Sequence, residues 1–205
     1  MNKKAQALNS IVKGGLLLTV SSFISKFLSA IYKIPFQNLT GDEGFYVYQQ
    51  VYPLYGLAVA LTMTGFPIFV SKIVSETKED SSLKHRLQEV NSWLILLGLV
   101  FFLVLQFGAS RIAQWMGDPQ LDQVIRSVSY FYLFSPFLAM SRGYFQGFGN
   151  MMPTSLSQVI EQLVRVSLLL WVAFNFGQRD WSYYEMGRYA YHSAWISAGV
   201  ACVVL

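Results

Sequence analysis

The chain has 205 residues, 54% of them hydrophobic, 16% aromatic and 13% charged, with a mean hydropathy of +0.40, whereas soluble domains carry about 25% charged residues. Such a composition excludes a disordered chain, and the single cysteine, Cys202, excludes an intramolecular disulfide framework. The net charge of +4 is scattered between apolar runs rather than gathered on one surface, so a nucleic-acid partner is not expected.

A bilayer core takes about 20 mostly apolar residues per helix, so six crossings would use about 120 positions, close to the apolar share. The first predicted span covers 11–34, behind Lys3, Lys4 and Lys13. A signal peptide also starts basic, but its core is about 7 to 15 unbroken apolar residues before a small-residue cleavage site. Lys26 interrupts this run, which is therefore read as a retained helix. The second span, 45–70, carries Pro53 and Pro67, and the polar stretch 71–89 after it reads as an aqueous, partly helical loop. The third, 92–108, contains the uncharged string WLILLGLVFFLVLQFG. The fourth, 124–145, has Pro136 in mid-span, and the fifth, 153–176, opens on a proline suited to a first helical turn. The Gly-rich RGYFQGFGNMMP turns the chain between them. The sixth, 189–205, is still apolar at Leu205, as though the chain were cut inside its last helix.

Cytoplasmic loops carry the excess of Lys and Arg. Lys3, Lys4, Lys13, Lys72, Lys78, Lys84, Arg86 and Arg142 fall on one side, against Arg111, Arg126, Arg179 and Arg188, with Lys33 near the edge of the second group. The predicted topology therefore has a cytoplasmic N-terminus. Trp115, Trp181, Tyr183 and Tyr184 then form an outer aromatic belt, and Arg142 anchors a cytoplasmic turn.

An ionisable group at bilayer depth costs at least about 2.5 kcal/mol and normally faces a bundle interior or a water-filled cavity. In the first span Thr19, Ser22, Lys26, Ser29 and Lys33 recur every three or four residues and so share one helical face. In the fifth, Gln158, Glu161, Gln162 and Arg165 do the same, with Glu161 four residues before Arg165 in the favourable order for an ion pair. Each stripe has a plainer alternative. Lys26 and Lys33 can snorkel to the interface along their alkyl stems, and Glu161 and Arg165 can simply neutralise one another. Tyr48, Tyr52 and Tyr55 on the second helix read as packing. Pro53 and Pro136 imply bends, while Asp42 and Glu43 read as a turn. His85 and His192 lack metal-ligand spacing, and no Cys/His cluster, phosphate-binding Gly loop or nucleophile elbow is present. Neither enzyme chemistry nor a metal or other cofactor is expected.

Three strings carry a family likeness: SKFLSAIYKIPFQNLTGDEGFYVYQQVYPLYG from Ser25, TGFPIFVSKIVSE from Thr64, and SRGYFQGFGNMMPTSLSQVIEQLVRV from Ser141. They resemble the polysaccharide-biosynthesis branch of the multidrug/oligosaccharidyl-lipid/polysaccharide exporter superfamily, and within it the SpoVB/YtgP group related to the MurJ lipid II flippases. The resemblance implies an all-α polytopic membrane helix bundle, residues 1–205 forming the N-terminal six-helix lobe of a MATE-like two-lobe transporter. It implies alternating access around a cationic cavity that takes the diphosphate and sugar headgroup of an undecaprenyl-linked precursor. The partners it implies are that lipid-linked oligosaccharide, the cell-membrane bilayer and a C-terminal lobe of the same protein. By the same resemblance Lys26 occupies the position of a cavity cation, and Glu43, ahead of Gly44-Phe45-Tyr46-Val47, aligns with an acid important in the relatives. Tyr32-Lys33 stands where the MurJ group has Arg-Asp, a departure that leaves the role of Lys33 open.

A diphosphate cannot cross hydrocarbon bare, so cations must replace its water. The expected substrate-binding set is thus Lys26, Lys33, Glu43, Gln158, Glu161, Gln162 and Arg165, with Lys26 and Arg165 attracting phosphate and Glu161 tuning Arg165. The expected function is a flippase for lipid II. Another lipid-linked saccharide, of capsule or teichoic type, and a non-transporting scaffold of cell-wall synthesis are the alternatives.

Overall fold

The structure, a computed structural model, describes the backbone of residues 3–77 and 80–205 and the side chains of residues 12–77 and 82–205. Lys78 and the side chains of Lys3 and Lys4, used above for orientation, lie outside the described residues. Helix α1 (Lys3–Ile31) is followed by α2 (Lys33–Ala60), a π-helical turn (Leu61–Gly65), α3 (Phe66–Glu76) and α4 (Asp80–Trp115). A 3₁₀ turn (Pro119–Leu121) leads into α5 (Asp122–Ser129), α6 (Phe131–Gly147), α7 (Met152–Phe176) and α8 (Tyr183–Val204). The chain is an all-α membrane bundle. Three runs, Val12–Glu76, Ser82–Trp115 and Met152–Phe176, are long and apolar enough to cross a bilayer. They take in the first, second, third and fifth predicted spans.

The helix boundaries depart from the predicted ones where prolines and glycines act. Pro35 has no N–H for the Ile31 carbonyl, yet Tyr32 N–H to Leu28 O (3.2 Å) and Phe36 N–H to Tyr32 O (3.0 Å) carry the helix on. The turn comes instead at Gly41, whose φ of 72° lies in the left-handed region. Pro67 similarly leaves the Met63 carbonyl without its usual partner, and the preceding turn widens to π geometry, with the Thr62 hydroxyl donating to Ala58 O at 2.7 Å. The fourth predicted span is divided at Tyr130 into α5 and α6. Within α6 the Ser135 hydroxyl donates to the Tyr132 carbonyl (3.0 Å), which Pro136 cannot reach. The stretch 71–89, expected to be partly helical, is helical through Glu76 and again from Asp80, where α4 begins.

Between lipid-embedded helices the hydrophobic effect is weak, and close backbone approach does the packing. Accordingly α8 buries Ala190, Ala194, Ala198 and Ala201. It lies against α7, α5 and α6. Gly143 and Gly147 set α6 on α3 so closely that an added Cβ would lie 2.5 Å from Val70 Cβ and 2.4 Å from Val74 Cβ, respectively. The other side of α7 packs on α1, and α4 packs on α3, α5 and α6. Outward-facing Trp93, Leu96, Val100, Leu103, Val104 and Phe107 give α4 an exposed apolar stripe, which in a bilayer meets lipid.

Candidate functional site

The polar stripes of α1 and α7 meet. The Ser22 hydroxyl donates to Gln158 Oε1 (3.3 Å), and the Ser25 hydroxyl to the Gln158 carbonyl (3.4 Å). Together with α2 and the π-turn they enclose a recess of about 330 Å³. Lys26, Ser29, Gln158 and Gln162 line it from two sides, with Tyr52, Met63 and Thr64 closing the third. Gln162 is buried, and its Nε2 has no hydrogen-bond partner. A buried amide donor left unpaired costs about 1–3 kcal/mol, and this one sits within the wall of the recess with no acceptor among the described residues. Among the described residues no carboxylate lines it. The arrangement presents one ammonium, two amides and several hydroxyls to a single cavity, a donor-rich surface suited to an anion and its polar neighbours.

Behind the recess the ionic pairing differs from the expected one. Glu161 does not pair with Arg165; its Oε2 accepts from Arg142 Nη2 at 2.6 Å. Arg142, expected to anchor an interfacial turn, is fully buried, because α6 continues through Gly147 and carries position 142 more than a turn inside the bundle. Its Nε donates to Ser157 Oγ (3.1 Å) and its Nη1 reaches Met63 Sδ (3.3 Å), which ties α6 and α7 to the π-turn. Once the Arg142 guanidinium arrives from a neighbouring helix, a buried 2.6 Å bond outcompetes a pairing along one helix surface, where such pairs are worth only tenths of a kcal/mol.

Arg165 is buried among tyrosines, its guanidinium 4.8 Å from the Tyr55 ring centre and 5.6 Å from that of Tyr32. Its Nε has no hydrogen-bond partner among the described residues. Tyr32 and Tyr48 join hydroxyls at 2.9 Å, and the Tyr191 hydroxyl donates to the Tyr48 carbonyl (2.7 Å). Tyr48 and Tyr55 are thus core, whereas Tyr52, read as packing from the sequence, also faces the recess. Lys33 places its ammonium 5.1 Å from the Tyr52 ring centre, adjoining the recess without lining it. Glu43 is elsewhere, in a shallow pocket with Asp42, Tyr46 and Tyr183. Nearby the Tyr184 hydroxyl donates to Asp118 Oδ2 (2.8 Å), and this bond pushes the phenol up to about 12. Seven residues were expected to bind substrate; Lys26, Gln158 and Gln162 share the recess, Glu161 and Arg165 lie behind it, Lys33 adjoins it and Glu43 stands apart. Ser25, Met63 and Thr64 were missed, although the polar LTMTG inside an apolar run is a visible signal for the last two.

Fold and site together define a polytopic helical membrane protein with a polar recess between α1, α2 and α7 that carries the exposed Lys26. Residues 11–205 match the model of the family described as polysaccharide biosynthesis protein. The chain is 40% identical over 196 residues, 95% of its length, to the uncharacterized membrane protein YabM of Bacillus subtilis. It is 32% identical over 178 residues (81%) to the lipid II flippase MurJ, and 29% identical over 171 residues (80%) to stage V sporulation protein B, both of the same organism. These alignments take in 36%, 33% and 32% of the three relatives, so the chain spans about a third of the length of the curated relatives it matches. No solved structure matches it. The chain belongs to the polysaccharide biosynthesis protein family, within the exporter group that its motifs resemble.

Proposed function

We propose that the protein carrying this chain is a flippase for a lipid-linked cell-wall precursor, lipid II, and that this bundle is one of its two lobes. The observation that carries the reading is the recess between α1, α2 and α7, where Lys26 faces Gln158 and the unpartnered Gln162 amide. In this account the Lys26 ammonium attracts the diphosphate, while the two glutamines and the serines of α1 exchange hydrogen bonds with phosphate and sugar oxygens as water is stripped away. The opposing lobe completes the cavity, and the lipid tail stays in the bilayer. Arg165, held behind Tyr55, adds positive potential without direct contact in this conformation. A drug-cation carrier is disfavoured, because the recess offers a cation no carboxylate.

The flippase relative lends support through 32% identity over most of this chain. The test is depletion of the complete protein in its own cells, with lipid II on the outer leaflet measured against total lipid II. A fall in outer exposure at constant or rising total supports the proposal. Unchanged exposure, in cells stripped of other flippases, refutes lipid II as cargo and directs the same assay to capsule and teichoic precursors.

A further inference from the structure

On a face of the bundle away from the recess, a crevice of about 660 Å³ opens between the first turns of α4 and the last turns of α6. Lys84, Gln88 and Asn91 line it from α4, with Phe137, Ser141 and Tyr144 opposite. We propose that this crevice binds one anionic phospholipid, with its phosphate at Lys84 and an acyl chain along Phe137.

The order of groups along the crevice matches that of a phospholipid. Positions 84 to 91 span about 10 Å of helix, from an exposed lysine at the end of the bundle, past Gln88, to Asn91 and Ser141 where the apolar stripe of α4 begins with Trp93. With the lysine set level with lipid phosphates, the amides and hydroxyl would meet glycerol esters and Phe137 the chains. The walls also run directly into lipid-facing surface, since Phe137 and Tyr144 remain exposed on α6, as Trp93 and Leu96 do on α4. The occupant must therefore arrive from the bilayer. Charge selects its type. Lys72 pairs with Glu76 and His85 with Glu89, but among the described residues Lys84 has no ion-pair or hydrogen-bond partner. An unneutralised ammonium at the rim of a groove lined by no other charged residue among those described favours a headgroup with net negative charge over a zwitterionic one.

The complete protein in detergent is titrated with phosphatidylglycerol and, separately, phosphatidylcholine, and bound lipid is counted by native mass spectrometry. The expected result is one phosphatidylglycerol bound in preference to phosphatidylcholine. Lys84→Gln, at an exposed position, is expected to weaken phosphatidylglycerol binding about fivefold and leave phosphatidylcholine binding unchanged. Ser141→Trp, filling the crevice, is expected to lose both, and inorganic phosphate is not expected to compete. Equal binding of the two lipids by the wild type, or wild-type phosphatidylglycerol binding by Lys84→Gln, overturns the proposal. Displacement by inorganic phosphate overturns it in favour of a free-phosphate site.

Discussion

Glu161→Gln tests the buried ionic layer. The Arg142 side chain is 0% exposed and that of Glu161 3%, and the substitution removes the counter-charge, leaving the guanidinium only neutral acceptors: the amide oxygen at position 161, Ser157 at 3.1 Å and Met63 at 3.3 Å. Breaking a buried pair from one side costs about 3–5 kcal/mol, while replacing both partners with apolar residues is close to neutral. The lower end applies in a membrane, where an unfolded helix also finds polar partners. At about 2–4 °C per kcal/mol, a loss of about 3 kcal/mol lowers the melting temperature by about 6 to 12 °C. The double variant Arg142→Leu with Glu161→Met is expected to recover most of that. Ser157 stays satisfied in it, because its hydroxyl donates to the Thr154 carbonyl at 2.9 Å. Thermal unfolding of the complete protein in detergent measures both variants. A single variant melting within about 2 °C of wild type, or a double variant no better than the single, refutes the assignment of a strongly coupled pair.

Gly147→Ala places a methyl 2.4 Å from Val74 Cβ and is expected to cost about 1–3 kcal/mol by separating α6 from α3. Gly108→Ala, whose Cβ meets only Ile112 Cδ1 at 3.6 Å, is expected to melt no lower than wild type. Gln162→Leu removes an unpartnered buried amide, so it is expected to keep or raise the melting temperature while lowering flipping. Loss of stability without loss of flipping would mark Gln162 as structural. At the start of α8, outside the predicted span, Ser182 N–H and Oγ–H donate to Glu185 Oε2 and hold its carboxyl below the ordinary range. A depressed folded value stabilises above the unfolded pKa. The stability gap between wild type and Glu185→Gln should therefore be full above about pH 4.3 and close as pH falls through the folded value, as read from melting temperature against pH.

What could be read from the sequence is what period and composition encode. Lys26 and the serines repeat at helical spacing, as do Gln158 and Gln162, and the two faces meet. The partner of Glu161 was not legible in that way. Spacing offers Arg165 on the same helix, whereas Arg142 arrives through the turn between α6 and α7, a tertiary fact with no local signature. Arg142 itself was misplaced because its neighbourhood resembles a loop, while α6 runs on to Gly147. The tyrosines illustrate the same limit: three share one helix face, yet Tyr48 is covered by Tyr191 of α8 and Tyr55 by Phe131 of α6, while Tyr52 borders the recess. Pro53 and Pro136, read as bends, lie inside continuous helices, and of the three Pro67 alone follows an altered turn. Pro67 widened the turn before it, whereas the first turn falls at Gly41, beside Asp42 and Glu43 where the sequence suggested one.

The most direct test of the central claim is complementation of depleted cells with the complete protein carrying Lys26→Ala, scored as outer-leaflet lipid II at matched protein abundance. The account predicts that wild type restores exposure and the variant does not, since among the described residues lining the recess Lys26 alone carries an ammonium. Full restoration by Lys26→Ala would contradict it.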